Sequence, residues 1–133
     1  MAGKSRTHTD SVLNILRNVA ISGVASPHVG LLSAAPADDS LTGTELSGNG
    51  YARQPVTFGA PVTDTGNVRK ISNTATCTFG PASADWLQAV AFAIYDAVSG
   101  GSILYWDYLQ TAKTVQTADY AAFDIGNLQV KED

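Results

Sequence analysis

Beyond Pro27 the apolar residues of this chain recur at every second position, and clusters of Gly, Pro, Asn, Asp and Ser cut that alternation into short runs. A period of two belongs to strands, whose successive side chains point to opposite faces, and closely spaced turns join strands that run back antiparallel. The fold class expected is mainly β: a compact antiparallel β-sandwich. Strands are expected near 28–34, 51–58, 67–79, 88–96, 102–109, 113–117 and 119–131, the last in one or two pieces. The segments 35–40 and 46–50 carry turn residues, while Asp64-Thr65-Gly66-Asn67 and Ser99-Gly100-Gly101 suit hairpin connections.

Before Pro27 the period changes. Val12, Leu13, Leu16, Val19 and Ala20 form one apolar helix stripe. One short N-terminal helix is expected over about 10–20, capped by Thr9 or Asp10 and stopped by Ser22-Gly23. Residues 1–8 are polar and without periodicity, so they read as a flexible arm, and 9–133 as a single domain. A chain of 133 residues buries roughly 65–70% of its unfolded surface, so its core needs neither metal nor disulfide.

In the strand around 88–96, Val90, Phe92 and Ile94 face one way and Ala89, Ala91, Ala93 and Tyr95 the other. Both faces are apolar and one is small, so another element is expected to come close over the alanines. The helix is one candidate, since a lone helix must bury its stripe somewhere, and an oligomer interface is the other. The next strand alternates Ile103, Tyr105, Asp107 and Leu109 against Leu104, Trp106 and Tyr108, aromatics large enough to anchor a core or an interface.

Charge narrows the partners. Lys4, Arg6 and Arg17 stand against Asp10 in the first 17 residues, a balance of +2, which leaves −6 of the formal net charge of −4 to the rest. An acidic body lacks the clustered Lys and Arg on which nucleic-acid affinity rests. No apolar run reaches membrane-spanning length and no signal peptide is visible, so a soluble protein made in the cytoplasm is expected, with no membrane partner. The single cysteine, Cys77, excludes an intrachain disulfide and reads as a small buried apolar residue.

A catalytic apparatus is hard to assemble from these residues. His8 and His28 are too few for a His-rich metal site, and no CxxC, HExxH or EF-hand loop occurs, so neither metal nor cofactor is expected. The GNGYAR segment at 48–53 lacks the third glycine of a dinucleotide fingerprint and leads into a Pro-containing strand, so it reads as a turn. A Ser-His-Asp arrangement has only His28 to use, without a G-x-S-x-G elbow. Asp85, Asp96, Asp107, Asp119 and Asp124 are candidate carboxylates, but most fall at turns, where aspartate caps backbone groups. Trp86, Tyr105, Trp106 and Tyr108 offer an aromatic set for carbohydrate or a protein partner; Trp86, in a turn, is either the partly exposed member of this set or, the favoured reading, a plug over the open end of the sandwich.

The ordered set VGLLSAAP (29–36), GTELSGNGYARQPVTFGAP (43–61), SNTATCTFGPASADW (72–86), AVAFAIYDAVSGGSILYWDYL (89–109) and K-T-V (113–115) resembles a bacteriophage family of tail-fibre-like or head-fibre and decoration proteins. With the preceding helix the resemblance spans nearly the whole chain. It implies a non-enzymatic virion component, a β-sandwich assembled as a symmetric oligomer, often a homotrimer. The chain has no repetitive shaft, which favours a short knob over a long fibre. The leading expectation is a capsid decoration or cement protein on the capsid surface, binding the major capsid protein at local three-fold positions. Lys4, Arg6, Val12 and Leu16 would then form the shell-facing or subunit-clasping part. The alternative is a short tail-fibre or head-fibre module that binds a host receptor or glycan through Trp86, Tyr105 and Trp106. A polysaccharide-cleaving enzyme would need an acid–base pair around Asp107.

Overall fold

The computed structural model describes residues 3–37 and 43–132, so part of the turn expected at 35–40 lies outside the described residues. The chain opens with strand β1 (Gly3–Lys4), helix α1 (Arg6–Asn14) and a 3-10 turn at Ile15–Arg17. Ten strands follow: β2 (His28–Ala34), β3 (Thr44–Glu45), β4 (Gln54–Pro55), β5 (Val62–Thr63), β6 (Arg69–Ser72), β7 (Cys77–Phe79), β8 (Ala89–Tyr95), β9 (Ile103–Lys113), β10 (Ala121–Phe123) and β11 (Gln129–Glu132). Every pairing is antiparallel. The main sheet runs β1-β9-β8-β2-β3, with β4 also on β2, and two smaller sheets, β10-β7 and β11-β6-β5, make up the rest.

The main core joins the large sheet to the small ones. Val29, Leu31, Phe92 and Ile94 from β2 and β8 share a buried cluster with Phe79, Ala121, Leu128 and Val130. The Phe123 ring meets both Phe79 and Phe92 edge to face. Full burial of side chains of this size contributes about 1.5–3 kcal/mol each. The chain is thus mainly antiparallel β with one short helix, as its periodicity indicates.

The second face of β8 is covered from within its own sheet. Ala93 pairs with Trp106 across β8 and β9, and Leu32, Ala91, Ala93, Tyr95 and Trp106 form a separate buried cluster. The alanines leave the room that the indole fills. On its other side β1 pairs Gly3 with Trp106, and a Cβ at Gly3 would run into that indole, so glycine is what lets β1 lie there.

The helix differs from expectation in both position and role. Ser5, not Thr9 or Asp10, is its N-cap: the hydroxyl accepts from the His8 amide at 3.1 Å, and the Ser5 amide donates to Leu104 at 2.9 Å. Residues 3–8, read from sequence as an arm, therefore supply β1 and the first helical turn. The helical stretch stops at Asn18, which takes the left-handed conformation at φ 62°. No residue of α1 is buried, so the helix does not cover the alanine face.

Three expected strands are reshaped. The run 67–79 is split into β6 and β7 at Asn73, and of 51–58 only Gln54–Pro55 is a strand, with Phe58 in an isolated bridge to Asn73. Strand β9 continues to Lys113, absorbing the start of the run expected at 113–117. It spends Tyr108 to Lys113 over the span from Ala91 to Ala89, an irregularity that alternation cannot reveal.

Candidate functional site: an interaction surface

The structure places the residues singled out from the sequence in three separate settings. Lys4 and Tyr105 are cross-strand partners and both reach the C-terminal strand. The Lys4 ammonium lies 2.8 Å from Glu132 Oε1, and the Tyr105 hydroxyl donates to Oε2 at 2.6 Å. The His8 ring stands edge-on to Tyr105 at 5.0 Å. Burial pushes the Tyr105 hydroxyl up, and Glu132 adds to this. Partial burial works against ionisation of Glu132, but the Lys4 and Tyr105 hydrogen bonds outweigh it and hold its carboxyl below the usual range. This cluster ties the first strand to the last.

A second carboxylate works in the same sense. Lys131 Nζ, 2.9 Å from Asp64, holds that carboxyl at about 2, helped by the Thr65 amide and by Lys70 at 3.5 Å. A folded-state pKa depressed from 3.8 gives a contribution fully present above pH 3.8 and lost as pH falls through about 2. Denaturant titrations should therefore show stability declining between about pH 4 and 2. The double variant Asp64→Asn/Glu132→Gln should flatten that decline, and an unchanged slope would refute the assignment.

The second setting is the helix. Arg6, Val12 and Leu16 all lie in water, Leu16 with 87% of its surface exposed. The third is the interior. Trp86 is buried, in keeping with the plug reading: its Nε1 donates to the Asn49 carbonyl at 2.8 Å and its ring meets Tyr51 edge to face. The indole N–H finds its partner in the turn at 48–50, which the sequence could not place beside it. Trp106 is buried as well, while Tyr108 and Tyr120 are exposed. The aromatic set is thus divided between core and surface and does not form one patch.

The sequence reading missed a polar cluster built on GNGYAR. The turn forms as expected, with positive φ at Gly48, Asn49 and Gly50. It delivers Tyr51 and Arg53 to one face. The Arg53 guanidinium grips Glu45 through two bonds of 2.8 Å and donates to the carbonyls of Ala97 at 3.0 Å and Gly100 at 2.8 Å. Its central carbon sits 3.4 Å over the Tyr95 ring. The Tyr51 hydroxyl donates to Glu45 at 2.7 Å and accepts the Leu31 amide at 2.9 Å. Burial and then Glu45 push the Tyr95 hydroxyl up to about 12. Gly30 makes room beneath, since a Cβ there would stand 2.8 Å from Glu45 and Tyr95. The available signal was the i, i+2 spacing of Tyr51 and Arg53, which puts both on one side of an extended segment.

The candidate chemical groups serve the backbone. Asp85 accepts the Thr117 amide and hydroxyl, Asp96 the Ser102 amide and Asp107 the Tyr108 amide, each amide at 2.8 Å. His28 is buried, with Nδ1 2.9 Å from the Ser26 carbonyl. Cys77 is buried, and burial pushes its thiol up. Among the described residues no three His, Cys, Asp or Glu side chains converge to hold a metal ion. Among the described residues no helix is long and apolar enough to cross a membrane.

The described residues thus form a small antiparallel β body with its polar groups tied into its own turns and with seven of its exposed large apolar residues lying between Val12 and Val24. The family comparison gives that body its particular setting. The model of the family described as podophage GP4 fiber I protein gp80 matches residues 3–131, and the chain belongs to that family. It is a bacteriophage fibre-family protein, a structural component associated with the virion. No curated protein matches the chain.

Proposed function

We propose that this chain is the globular module of a short virion fibre, seated on the phage particle through its helix-bearing end and presenting its acidic β body outward. Membership of a fibre family over residues 3–131 carries this reading. Exposed Val12 and Leu13 of α1, with Ile15 and Leu16 of the turn after it, support the choice of the attached end, since clustered exposed apolar side chains mark contact surfaces. The outward end would meet the host surface, where Tyr108 and Tyr120 are the exposed aromatics available for a receptor or glycan. The role is non-catalytic: Asp85, Asp96 and Asp107 are engaged with backbone amides, and no nucleic acid suits an acidic body.

A second reading, a capsid decoration protein that assembles as a homotrimer on the major capsid protein, is favoured by one observation. The described residues form a β body with no repeating shaft. Quantitative mass spectrometry of purified parent virions separates the two. Copies far fewer than the major capsid protein, at a tail or unique vertex, support the fibre. A ratio near one, or a simple fraction with hundreds of copies, supports decoration. Absence from purified particles would overturn both.

A further inference from the structure

Helix α1 is held to the rest of the chain at one end only. None of its 9 residues is buried, and a helix of that length does not stand alone in water. Its anchors sit in the first turn. Ser5, 1% exposed, caps the helix and donates its amide to the Leu104 carbonyl, and the His8 ring lies against Tyr105. Further along, the side-chain hydrogen bonds return to the helical stretch itself: Ser11 donates to the Thr7 carbonyl at 3.0 Å and Arg17 to Asn14 at 2.9 Å. From Ile15 to Ser26 every residue is exposed, so the link to β2 is free to follow the helix. An element with so few buried contacts belongs to the low-stability end of a fold and opens before the rest.

The His8 anchor sits in a charged setting. β1 contributes Lys4, β9 Tyr105 and β11 Glu132, while Asp96, just beyond β8, lines the groove that His8 also borders. The Asp96 carboxylate is engaged by the Ser102 amide at 2.8 Å. Both oxygens of Glu132 are taken, by Lys4 at 2.8 Å and by Tyr105 at 2.6 Å. A proton on His8 therefore places a second cation, partly withdrawn from water, in a cluster whose one carboxylate is already shared. Burial and then Lys4 hold the imidazole below its ordinary value of 6.5, against the smaller pull of Glu132.

We propose that α1 is a pH-released element: protonation of His8 detaches it from β9, with Ser5 as the hinge. This property belongs to the chain alone, whatever position on the virion it occupies. The docked helix binds the His8 proton less tightly than the released one, so docking is at full strength above about pH 6.5 and weakens as pH falls below it. An ordinary histidine in the released helix sets the ceiling: between pH 7.5 and 5.0 the released fraction rises by at most about 30-fold. The window lies above the acid range in which Asp64 and Glu132 protonate, so the β body stays intact across it.

Amide hydrogen exchange of the full chain at pH 7.5 and 5.0, read by mass spectrometry and corrected for the intrinsic pH dependence, tests this. Peptides covering 6–17 should be protected at pH 7.5 and lose about 3- to 30-fold of that protection at pH 5.0, while β2 and β8 stay within about twofold. His8→Phe keeps a ring against Tyr105 and takes no proton, so its helix should stay docked at both pH values. Should that variant lose its helix, the imidazole of the wild-type chain decides by NMR, with a titration midpoint expected below 6.5. Four results overturn the proposal: a wild-type helix unprotected at pH 7.5, equal protection at the two pH values, a loss at pH 5.0 that a docked His8→Phe shares, or an imidazole midpoint at or above 6.5.

Discussion

Asn73→Ala is expected to lower the unfolding free energy by about 3–5 kcal/mol and the melting temperature by roughly 10–20 °C. Asn73 is 2% exposed and its side chain is fully engaged. The Nδ2 group donates to Ala75 at 2.9 Å and Asp124 at 3.0 Å, with a longer contact of 3.4 Å to Phe123. Oδ1 accepts the amides of Gly126 and Leu128, both at 3.0 Å. Truncation strips these backbone groups of their partner in a place water reaches poorly, and each group so stranded costs about 1–3 kcal/mol. Not all the cost appears, because the Gly126 amide also reaches the Asn73 carbonyl at 3.0 Å. Asn73→Asp should do little better at neutral pH: it keeps the acceptor but turns the donor into an oxygen facing carbonyls. Exposed Asn127→Ala supplies the control, with a change within about 0.5 kcal/mol. A loss below about 1 kcal/mol for Asn73→Ala would mean that water replaces the amide and that the two loops are held otherwise.

The same residue shows where the sequence stops being legible. Strands β2 and β8 lie where alternation puts them, because a strand buried on both faces writes its pattern locally. The run 67–79 alternates just as well, yet Asn73 breaks it by bonding to residues about 50 positions away. No local pattern contains that partner. The helix shifted for a related reason: Ser5 is as good a cap as Thr9, and what decides between them is the hydrogen bond from the Ser5 amide to the Leu104 carbonyl. For the candidate site, the apolar stripe at 12–19 was visible, while its direction was not. Amphipathicity says which residues share a face and leaves open whether that face meets its own core or another chain. Trp86 carried two readings, plug or partly exposed aromatic, through the same gap, since exposure of a turn aromatic depends on which distant loop closes over it.

Arg53→Met should cost about 2–4 kcal/mol, second only to the Asn73 change, because it keeps the apolar stem and removes only the guanidinium. The Arg53 side chain is 8% exposed and its partner Glu45 24%, so the pair is more sheltered than the surface bridges whose contribution is about 0–1 kcal/mol. Without Arg53, the Glu45 carboxylate keeps only the Tyr51 hydroxyl, and the carbonyls of Ala97 and Gly100 lose their donor. Glu45→Gln on top of Arg53→Met should recover part of the loss, since a neutral amide tolerates the vacated place better than a charge. Arg53→Lys should recover less than half, because one ammonium cannot hold both carboxylate oxygens, reach two carbonyls and lie flat on Tyr95. Three melting curves decide it. A loss under about 1 kcal/mol for Arg53→Met would reduce the cluster to an ordinary surface pair. The effect should also be local: the Arg53 fork is what joins the tip of the β8–β9 hairpin to the strand after GNGYAR. Limited proteolysis of Arg53→Met should therefore open first near residues 97–101, before the domain melts. Under the proposed fibre role, that clamp would fix the shape of the presented surface ahead of contact, so that ordering these loops costs little on binding.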